Sequence, residues 1–239
     1  MAYQSVFARY ESKYLLTREQ QVRIVAAMEP HMAPDSYGPT TIRNIYVDTP
    51  TYRLIRRSME KPLYKEKLRI RSYQQSLPGS DVFVEIKKKY RGIVYKRRLA
   101  LPEQQVTDWL QGGRPPGEDS QIRREIDYFL RFYGALRPTV FLSYDREAWY
   151  SREDSGFRVT FDTDIRARQT NLSLELPAGG TPILAEELVL MEIKCSGGIP
   201  LWMTKVLTME NIRKTSFSKY AAAYQTLIYP EIKEVFSHV

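Results

Sequence analysis

Charged and apolar residues alternate in three neighbouring segments of the sequence, 67–71, 82–88 and 94–101. Because successive side chains of a β-strand point to opposite faces, each segment predicts a strand with one charged and one apolar face. The charged positions are Lys67, Arg69, Arg71, Glu85, Lys87, Lys96 and Arg98. A turn signal at Arg91 and Gly92 joins the second segment to the third, so we expect antiparallel neighbours.

The positive charge of the chain is concentrated in this region. Residues 53–98 contain 15 Lys and Arg against four acidic residues, a local net charge of +11, whereas the 239-residue chain carries +8. One interpretation is an ordinary solvated sheet face. However, such a face normally mixes both signs, since like charges directly opposite each other destabilise strand pairing. The excess of one sign therefore favours a bound polyanion.

Three later segments, 141–149, 157–165 and 188–195, continue the alternation with both signs of charge. Their charged faces contain Tyr144, Arg146, Arg158, Asp162, Asp164, Glu192 and Lys194. Acids among bases suit a site that holds phosphate together with a metal ion. Asp162 and Asp164 are equally compatible with secondary metal ligands and with partners that orient Arg158.

Four helices are predicted beside these strands. Thr17 and Gln20 form a capping box ahead of the first helix. A second helix begins at Asp119 or Ser120 and ends at Gly134. Pro200 begins a third helix, and Ser216 is expected to cap the last one, which runs through Tyr220.

Cysteine and histidine content excludes several kinds of site. The single Cys195 cannot form an intramolecular disulfide, and its place on an apolar strand face predicts a packed thiol. His31 and His238 are too few ligands for a Cys/His zinc site, and neither is well placed for a Ser-His-Asp triad. A metal ion would be held mainly by carboxylates, which favours Mg²⁺ or Mn²⁺.

Membrane insertion and general nucleic-acid binding are not expected. The sequence has no N-terminal apolar signal and nowhere 18 consecutive apolar residues, so we expect a cytoplasmic chain without a transmembrane segment. The 17 tyrosines are scattered instead of following the basic face. Nucleic acid is therefore expected as a partner only through a 5′-triphosphate.

Short strings along nearly the whole chain resemble the VTC polyphosphate polymerase domain, a member of the triphosphate tunnel metalloenzymes related to the CYTH phosphatases and cyclases. The strings are RYESKYLL (9–16), IYVDT (45–49), LRIR (68–71), VEIK (84–87), YKRR (95–98), YDR (144–146), FRVT (157–160), MEIK (191–194) and FSKY (217–220). The resemblance implies a single triphosphate tunnel domain over residues 1–239. Its expected fold is α+β, a closed antiparallel β-barrel tunnel of about eight strands with flanking helices.

The resemblance also implies the site. The phosphate-binding residues carried over by position are Lys13, Arg69, Arg71, Lys87, Lys96, Tyr144, Arg146, Arg158, Ser218 and Lys219. The expected catalytic residues are Lys13, Arg69, Arg71, Lys87, Arg146 and Glu192. Glu192 is the expected ligand of Mn²⁺ or Mg²⁺, although it could instead form a salt bridge with Lys194 or Arg158.

The implied activity is metal-dependent transfer of the γ-phosphate of ATP to a growing polyphosphate chain. Two alternatives use the same anion site: a triphosphatase acting on tripolyphosphate, a nucleoside triphosphate or an RNA 5′ end, and a polyphosphate-binding module without catalysis. The CYTH hydrolases typically begin with Glu-x-Glu-x-Lys, whereas this chain has Arg9 at the first glutamate position, ahead of Glu11 and Lys13. Loss of that carboxylate favours the polymerase branch.

Overall fold

A computed structural model describes residues 6–237 of the chain and the side chains of residues 10–233. The strands are β1 (Val6–Thr17), β2 (Met32–Pro34), β3 (Thr40–Asp48), β4 (Tyr64–Ser72), β5 (Asp81–Tyr90), β6 (Ile93–Pro102), β7 (Arg137–Ser151), β8 (Arg158–Arg168), β9 (Thr181–Pro182), β10 (Leu188–Cys195) and β11 (Lys214–Thr215). The helices are α1 (Arg18–Met28), α2 (Arg53–Met59), α3 (Glu103–Leu110), α4 (Gln121–Tyr133), α5 (Leu201–Met209), α6 (Lys219–Ala223) and α7 (Tyr229–Ser237), and a π-helical turn (Tyr224–Ile228) joins α6 to α7.

All strands belong to one antiparallel sheet. Its hydrogen-bonded path runs β2-β7-β3-β4-β5-β6-β1-β10-β8-β9, and β11 pairs with β1. The expected strand number is corrected, because the described residues form eleven strands instead of about eight. The short strands β2, β9 and β11 lie outside the eight longer strands, which are hydrogen-bonded in the order β7-β3-β4-β5-β6-β1-β10-β8. An additional pairing between β7 and β8 brings strands from the two halves of the path together. This pairing curls the sheet around one concave face.

Two irregularities in strand register accompany the curl. The register of β3 with β7 shifts between Tyr46 and Val47, and the register of β7 with β8 shifts between Ser143 and Asp145. On β8, Asp164 lies opposite the second shift with a left-handed φ of 45°. Extra residues of this kind increase the local twist of paired strands, which helps a wide sheet to bend.

The convex face of the sheet is apolar and covered by helices, as the alternation predicts. Leu68, Ile70, Val84 and Ile86 pack in one core with residues of α3 and α4. A second core joins α1 and α5 to β1, β8 and β10, and it contains Cys195, so the packed thiol is confirmed. Burial of the apolar residues on this side leaves the alternate, charged residues on the concave face.

Most of the predicted helix signals are confirmed. Thr17 and Gln20 form the capping box of α1, and Ser120 and Gly134 bound α4. The expected cap at Ser216 is wrong, because Ser218 is the N-cap of α6. Two helices, α2 and α3, were not predicted; α2 lies inside the basic region that the pattern assigned largely to strands. No helix among residues 6–237 is long and apolar enough to span a membrane.

Candidate functional site

The concave face gathers charged side chains from seven strands and one helix. We call these residues the charged face: Glu11, Lys13, Lys67, Arg69, Arg71, Glu85, Lys87, Lys96, Arg98, Arg146, Asp162, Glu192, Lys194 and Lys219. Ten are basic and four are acidic, which gives a formal net charge of +6. Contacts reach over intervening strands, as between Lys87 of β5 and Glu11 of β1, whose Nζ and Oε2 lie 3.0 Å apart across β6.

Glu85 is the counter-charge of the arginine-rich part of the charged face. It is fully buried, and its strand register places it between Arg69 and Arg98. Its Oε2 lies 2.6 Å from Arg69 Nη2 and 3.8 Å from Arg71 Nε, and its Oε1 lies 3.2 Å from Lys96 Nζ. Burial alone raises the pKa of Glu85, but these cations overcome it and hold the pKa well below the ordinary value. Glu85 is therefore ionised at neutral pH.

Glu192 is surrounded by cations from four elements. Its Oε1 lies 3.1 Å from Lys13 Nζ and 3.4 Å from Lys219 Nζ, and its Oε2 lies 3.1 Å from Lys194 Nζ and 3.5 Å from Arg146 Nη2. Burial raises its pKa, yet the four positive charges hold the pKa well below the ordinary value. This carboxylate also stays ionised at neutral pH.

Asp162 orients Arg146 and Lys219. Arg146 binds the carboxylate of Asp162 with a two-pronged fork, Nε to Oδ1 at 2.6 Å and Nη2 to Oδ2 at 2.7 Å. Lys219 contacts the same carboxylate. Both cations also flank the ring of Tyr144, Lys219 Nζ at 4.4 Å and the Arg146 guanidinium at 5.0 Å from its centroid. Fork geometry fixes the guanidinium in one plane, so it is already oriented for a second anion.

Lys219 reaches the charged face because its neighbour anchors the helix. The hydroxyl of Tyr220 donates to Asp48 at 2.9 Å, and its ring stacks on Tyr46 with centroids 4.4 Å apart. Asp48 also accepts from the backbone N–H groups of Leu54 and Ile55, which ties α2 to the same point. The buried carboxylate thus holds both the start of α2 and the residue beside Lys219.

Neutral side chains accept further hydrogen bonds from Arg69 and Arg71. Arg71 donates to Asn44 Oδ1 at 2.8 Å and to the Tyr144 hydroxyl at 2.9 Å. Arg69 donates to the Tyr46 hydroxyl at 3.4 Å. Both guanidiniums are therefore held by neighbours on β3, β5 and β7.

Comparison with known proteins assigns the family. The family model named VTC domain matches residues 8–228. This chain belongs to the VTC domain family. The fold described above is therefore the VTC fold as it occurs in this sequence.

Two further proteins are similar to this chain, one in sequence and one in fold. Subunit 4 of the vacuolar transporter chaperone complex of Trypanosoma cruzi (strain CL Brener) is 23% identical over 279 residues, which cover 93% of this chain and 34% of the relative. The chain thus spans about a third of the length of that relative. A crystal structure of a candidate adenylate cyclase from Bacillus halodurans superposes with a TM-score of 0.57 at 15% identity, covering 94% of this chain and 100% of the other, and it shares the fold.

Most residues that the VTC resemblance selected lie together. The charged face and its contacts include Lys13, Arg69, Arg71, Lys87, Lys96, Tyr144, Arg146, Glu192 and Lys219. Ser218 lies at its edge, where it accepts from Lys67 Nζ at 3.2 Å. Arg158 is different: it lies opposite Lys194 in the strand register, but its Nη2 contacts Asp35 at 2.6 Å and 41% of its side chain is exposed.

The two aspartates of β8 have different environments. Asp162 is fully buried and orients Arg146 instead of the expected Arg158, whereas Asp164 is exposed and contacts Arg166 Nε at 2.6 Å. Hence only Asp162 belongs to the site. The side chain of Arg9 and the whole of His238 lie outside the described residues.

Six residues of the charged face were outside the predicted site, three of them basic (Lys67, Arg98 and Lys194) and three acidic. Glu11, Glu85 and Asp162 pair with the cations of the charged face. Strand parity places Glu85 on the charged face and Asp162 on the charged side of its own strand. Their partners, however, lie on other strands, so strand parity does not predict which cations they neutralise.

A divalent metal ion fits this face only together with phosphate. In the described part of the chain, no group of three or more His, Cys, Asp or Glu side chains is arranged to hold a metal ion. Glu192 lies close enough to Glu11 and Asp162 for its negative charge to act on their pKa values, in the raising direction. Both Glu192 oxygens, however, already contact cations. Mg²⁺ is commonly bound by one or two carboxylates together with substrate phosphates. The residues therefore suit an ion shared between Glu192 and phosphate oxygens.

Proposed function

We propose that this chain is a polyphosphate polymerase that transfers the γ-phosphate of ATP to the end of a growing polyphosphate chain. The observation that carries the proposal is the excess of basic over acidic side chains on the charged face, ten against four. Its four carboxylates are already ion-paired, so further anions are needed to neutralise the remaining cations. A chain of phosphates supplies closely spaced negative charges in one molecule.

The curled sheet suits a linear anion. Pairing of β7 with β8 places Arg146 and Asp162 side by side, while β4, β5 and β6 bring Arg69, Arg71 and Lys96 from the other half of the sheet path. We propose that these two groups of cations grip one extended anion within a single tunnel domain over residues 1–239. Arg forks fix the orientation of individual phosphates, and Lys ammonium groups act as point charges.

The reaction requires positioning and charge neutralisation more than proton transfer. A terminal oxygen of the polyphosphate chain attacks the γ-phosphorus of ATP, the bond from that phosphorus to the bridging oxygen breaks, and ADP leaves. The attacking oxygen is already an anion, so a general base is unnecessary. Lys13, Arg69, Arg71, Lys87 and Arg146 are proposed to neutralise the phosphate oxygens as charge redistributes.

Glu192 is proposed to hold a divalent ion beside these phosphates. A bound Mn²⁺ or Mg²⁺ supplies positive charge to the non-bridging oxygens. Phosphate oxygens entering the site compete for Lys13, Lys194 and Lys219, the cations that now contact Glu192. With those contacts weakened by bound substrate, Glu192 would be free to hold the ion.

The products of one reaction test the proposal. Purified protein is incubated with ATP and Mn²⁺, and the phosphate products are separated by gel electrophoresis. Long phosphate chains support the polymerase. Release of orthophosphate alone overturns the polymerase in favour of a triphosphatase, and an inert protein whose melting temperature rises with polyphosphate overturns it in favour of a binding module.

A further inference from the structure

Three lysines lie directly opposite one another on adjacent strands of the charged face. Lys67 of β4 pairs in register with Lys87 of β5, and Lys87 pairs with Lys96 of β6. Like charges in such positions destabilise a sheet unless each finds a counter-charge. Lys87 contacts Glu11 at 3.0 Å and Lys96 contacts Glu85 at 3.2 Å. Two of the three lysines are therefore compensated.

Lys67 has a different environment. Its Nζ donates to Ser218 Oγ at 3.2 Å and lies 5.7 Å from the centroid of the Tyr220 ring. None of the ion pairs found among the described residues gives it a carboxylate partner. The charged groups that act on it most strongly are cations: Lys13 from β1, Lys65 and Arg69 from β4, and Lys87 from β5. Among the described residues, Lys67 thus has no carboxylate within salt-bridge distance.

This environment favours the neutral amine. Burial and the positive charges of Lys13, Lys87, Lys65 and Arg69 lower the pKa of Lys67 to about 7. An ordinary lysine titrates near 10.5, so the environment disfavours the ammonium strongly. An anion placed against Nζ reverses that balance and restores the ammonium.

We propose that Lys67, with Ser218 and Lys87, forms an additional phosphate subsite, and that the protein takes up one proton from solvent when a phosphate group of the bound chain fills it. The amine of Lys67 gains the proton, and the resulting ammonium donates hydrogen bonds to a phosphate oxygen and to Ser218 Oγ. The identity of the ligand as polyphosphate rests on the proposed function, but the subsite requires only a phosphate chain that binds the charged face.

Proton uptake is measured by titration calorimetry of the full chain with tripolyphosphate at pH 7.5, in two buffers of different ionisation enthalpy. With a pKa of about 7, roughly three quarters of the Lys67 side chains are neutral at this pH. Lys67→Arg keeps the positive charge and cannot lose its proton. We expect the unaltered chain to take up about 0.7 proton more per bound tripolyphosphate than this variant. At pH 5.5, where Lys67 is already charged, the difference should vanish.

Two further variants separate this subsite from general electrostatics. Lys67→Met should bind tripolyphosphate roughly tenfold or more weakly, since a charged hydrogen-bond donor is lost. Lys88→Met removes a lysine from the opposite face, where its Nζ contacts Glu125 at 3.4 Å, and should change neither affinity nor proton uptake. Equal proton uptake by the unaltered chain and Lys67→Arg, or unchanged affinity of Lys67→Met, overturns the subsite.

The outcome is distinguishable from that of the polymerase assay. If the protein makes no polyphosphate but shows the difference in proton uptake, the subsite is supported and the proposed function is refuted. If the protein makes polyphosphate but shows no difference in proton uptake, the proposed function is supported and the subsite is refuted. Failure to bind tripolyphosphate at all overturns both.

Discussion

Lys13 Nζ lies 3.1 Å from Glu192 Oε1, and the two residues face each other in register on β1 and β10. Glu192 also contacts Lys194, Lys219 and Arg146, so one ionised carboxylate is shared among four cations. These contacts hold the cations in place before substrate arrives. They also make Glu192 the residue whose replacement best separates binding from turnover.

Glu192→Gln should lose turnover while tripolyphosphate still raises the melting temperature. The amide has nearly the same shape but no charge to hold a metal ion, whereas the surrounding cations remain to bind phosphate. Because the cations lose their shared partner, the free variant should be less stable by about 3 kcal/mol. Product gels and thermal melts with and without tripolyphosphate check both effects. Unchanged turnover would refute the metal role of Glu192.

Arg69→Ala should weaken tripolyphosphate binding by about 10- to 100-fold, because a charged, oriented donor is removed from the charged face. Arg97→Ala is the matched control. Arg97 lies on the other face of the sheet, paired with Glu125 of α4, and such a pair contributes about 1 kcal/mol or less to stability. Calorimetric dissociation constants compare the two variants. If the two substitutions weakened tripolyphosphate binding equally, the phosphate site would not lie on the charged face.

Strand parity in the sequence predicts one face of the site well. The alternation at 67–71 correctly places Arg69 and Arg71 together and Leu68 in the core, because period-two patterning directly reports which face is buried. The pairing of Glu11 with Lys87 was not predictable, since it joins residues 76 positions apart over an intervening strand.

The missed helix α2 has a physical cause as well. Its N-terminus depends on Asp48, whose carboxylate accepts from the N–H groups of Leu54 and Ile55. Tyr52, at the N-cap position, has a left-handed φ of 56° and no side-chain cap. The usual local signal is therefore absent, and the cap comes from the end of the preceding strand.

Lys67→Met should be more stable than the unaltered chain when no phosphate is present. Because the folded pKa of Lys67 is about 7 and the unfolded pKa is near 10.5, its cost to stability is complete below pH 7 and fades as pH rises toward 10.5. We expect the variant to melt at least about 2 °C higher at pH 6, with the gain disappearing near pH 10. Melting curves in phosphate-free buffers measure this, with Lys88→Met as the control; a lower melting temperature for Lys67→Met at pH 6 would contradict the account.

Acid should destabilise the free protein through its buried carboxylates. Cations lower the folded pKa of Glu85 below its ordinary value of 4.5, so its contribution to stability is present above that pH and is lost as pH falls through the folded pKa. The melting temperature should therefore fall steeply below about pH 4.5. Glu85→Gln should be less stable at pH 7 and should show a shallower fall in acid. If the melting temperatures of the two proteins fell in parallel as the pH is lowered, Glu85 would not contribute to stability through its ionised carboxylate.

Transfer of label from ATP tests the central claim most directly. ATP labelled at its γ-phosphate is incubated with Mn²⁺ and each of three proteins: the unaltered chain, Arg69→Ala and Lys88→Met. We expect label to enter long phosphate chains with the unaltered chain and with Lys88→Met, and we expect Arg69→Ala to make little or no labelled chain. Label found only in orthophosphate, or equal chain synthesis by Arg69→Ala, would contradict it.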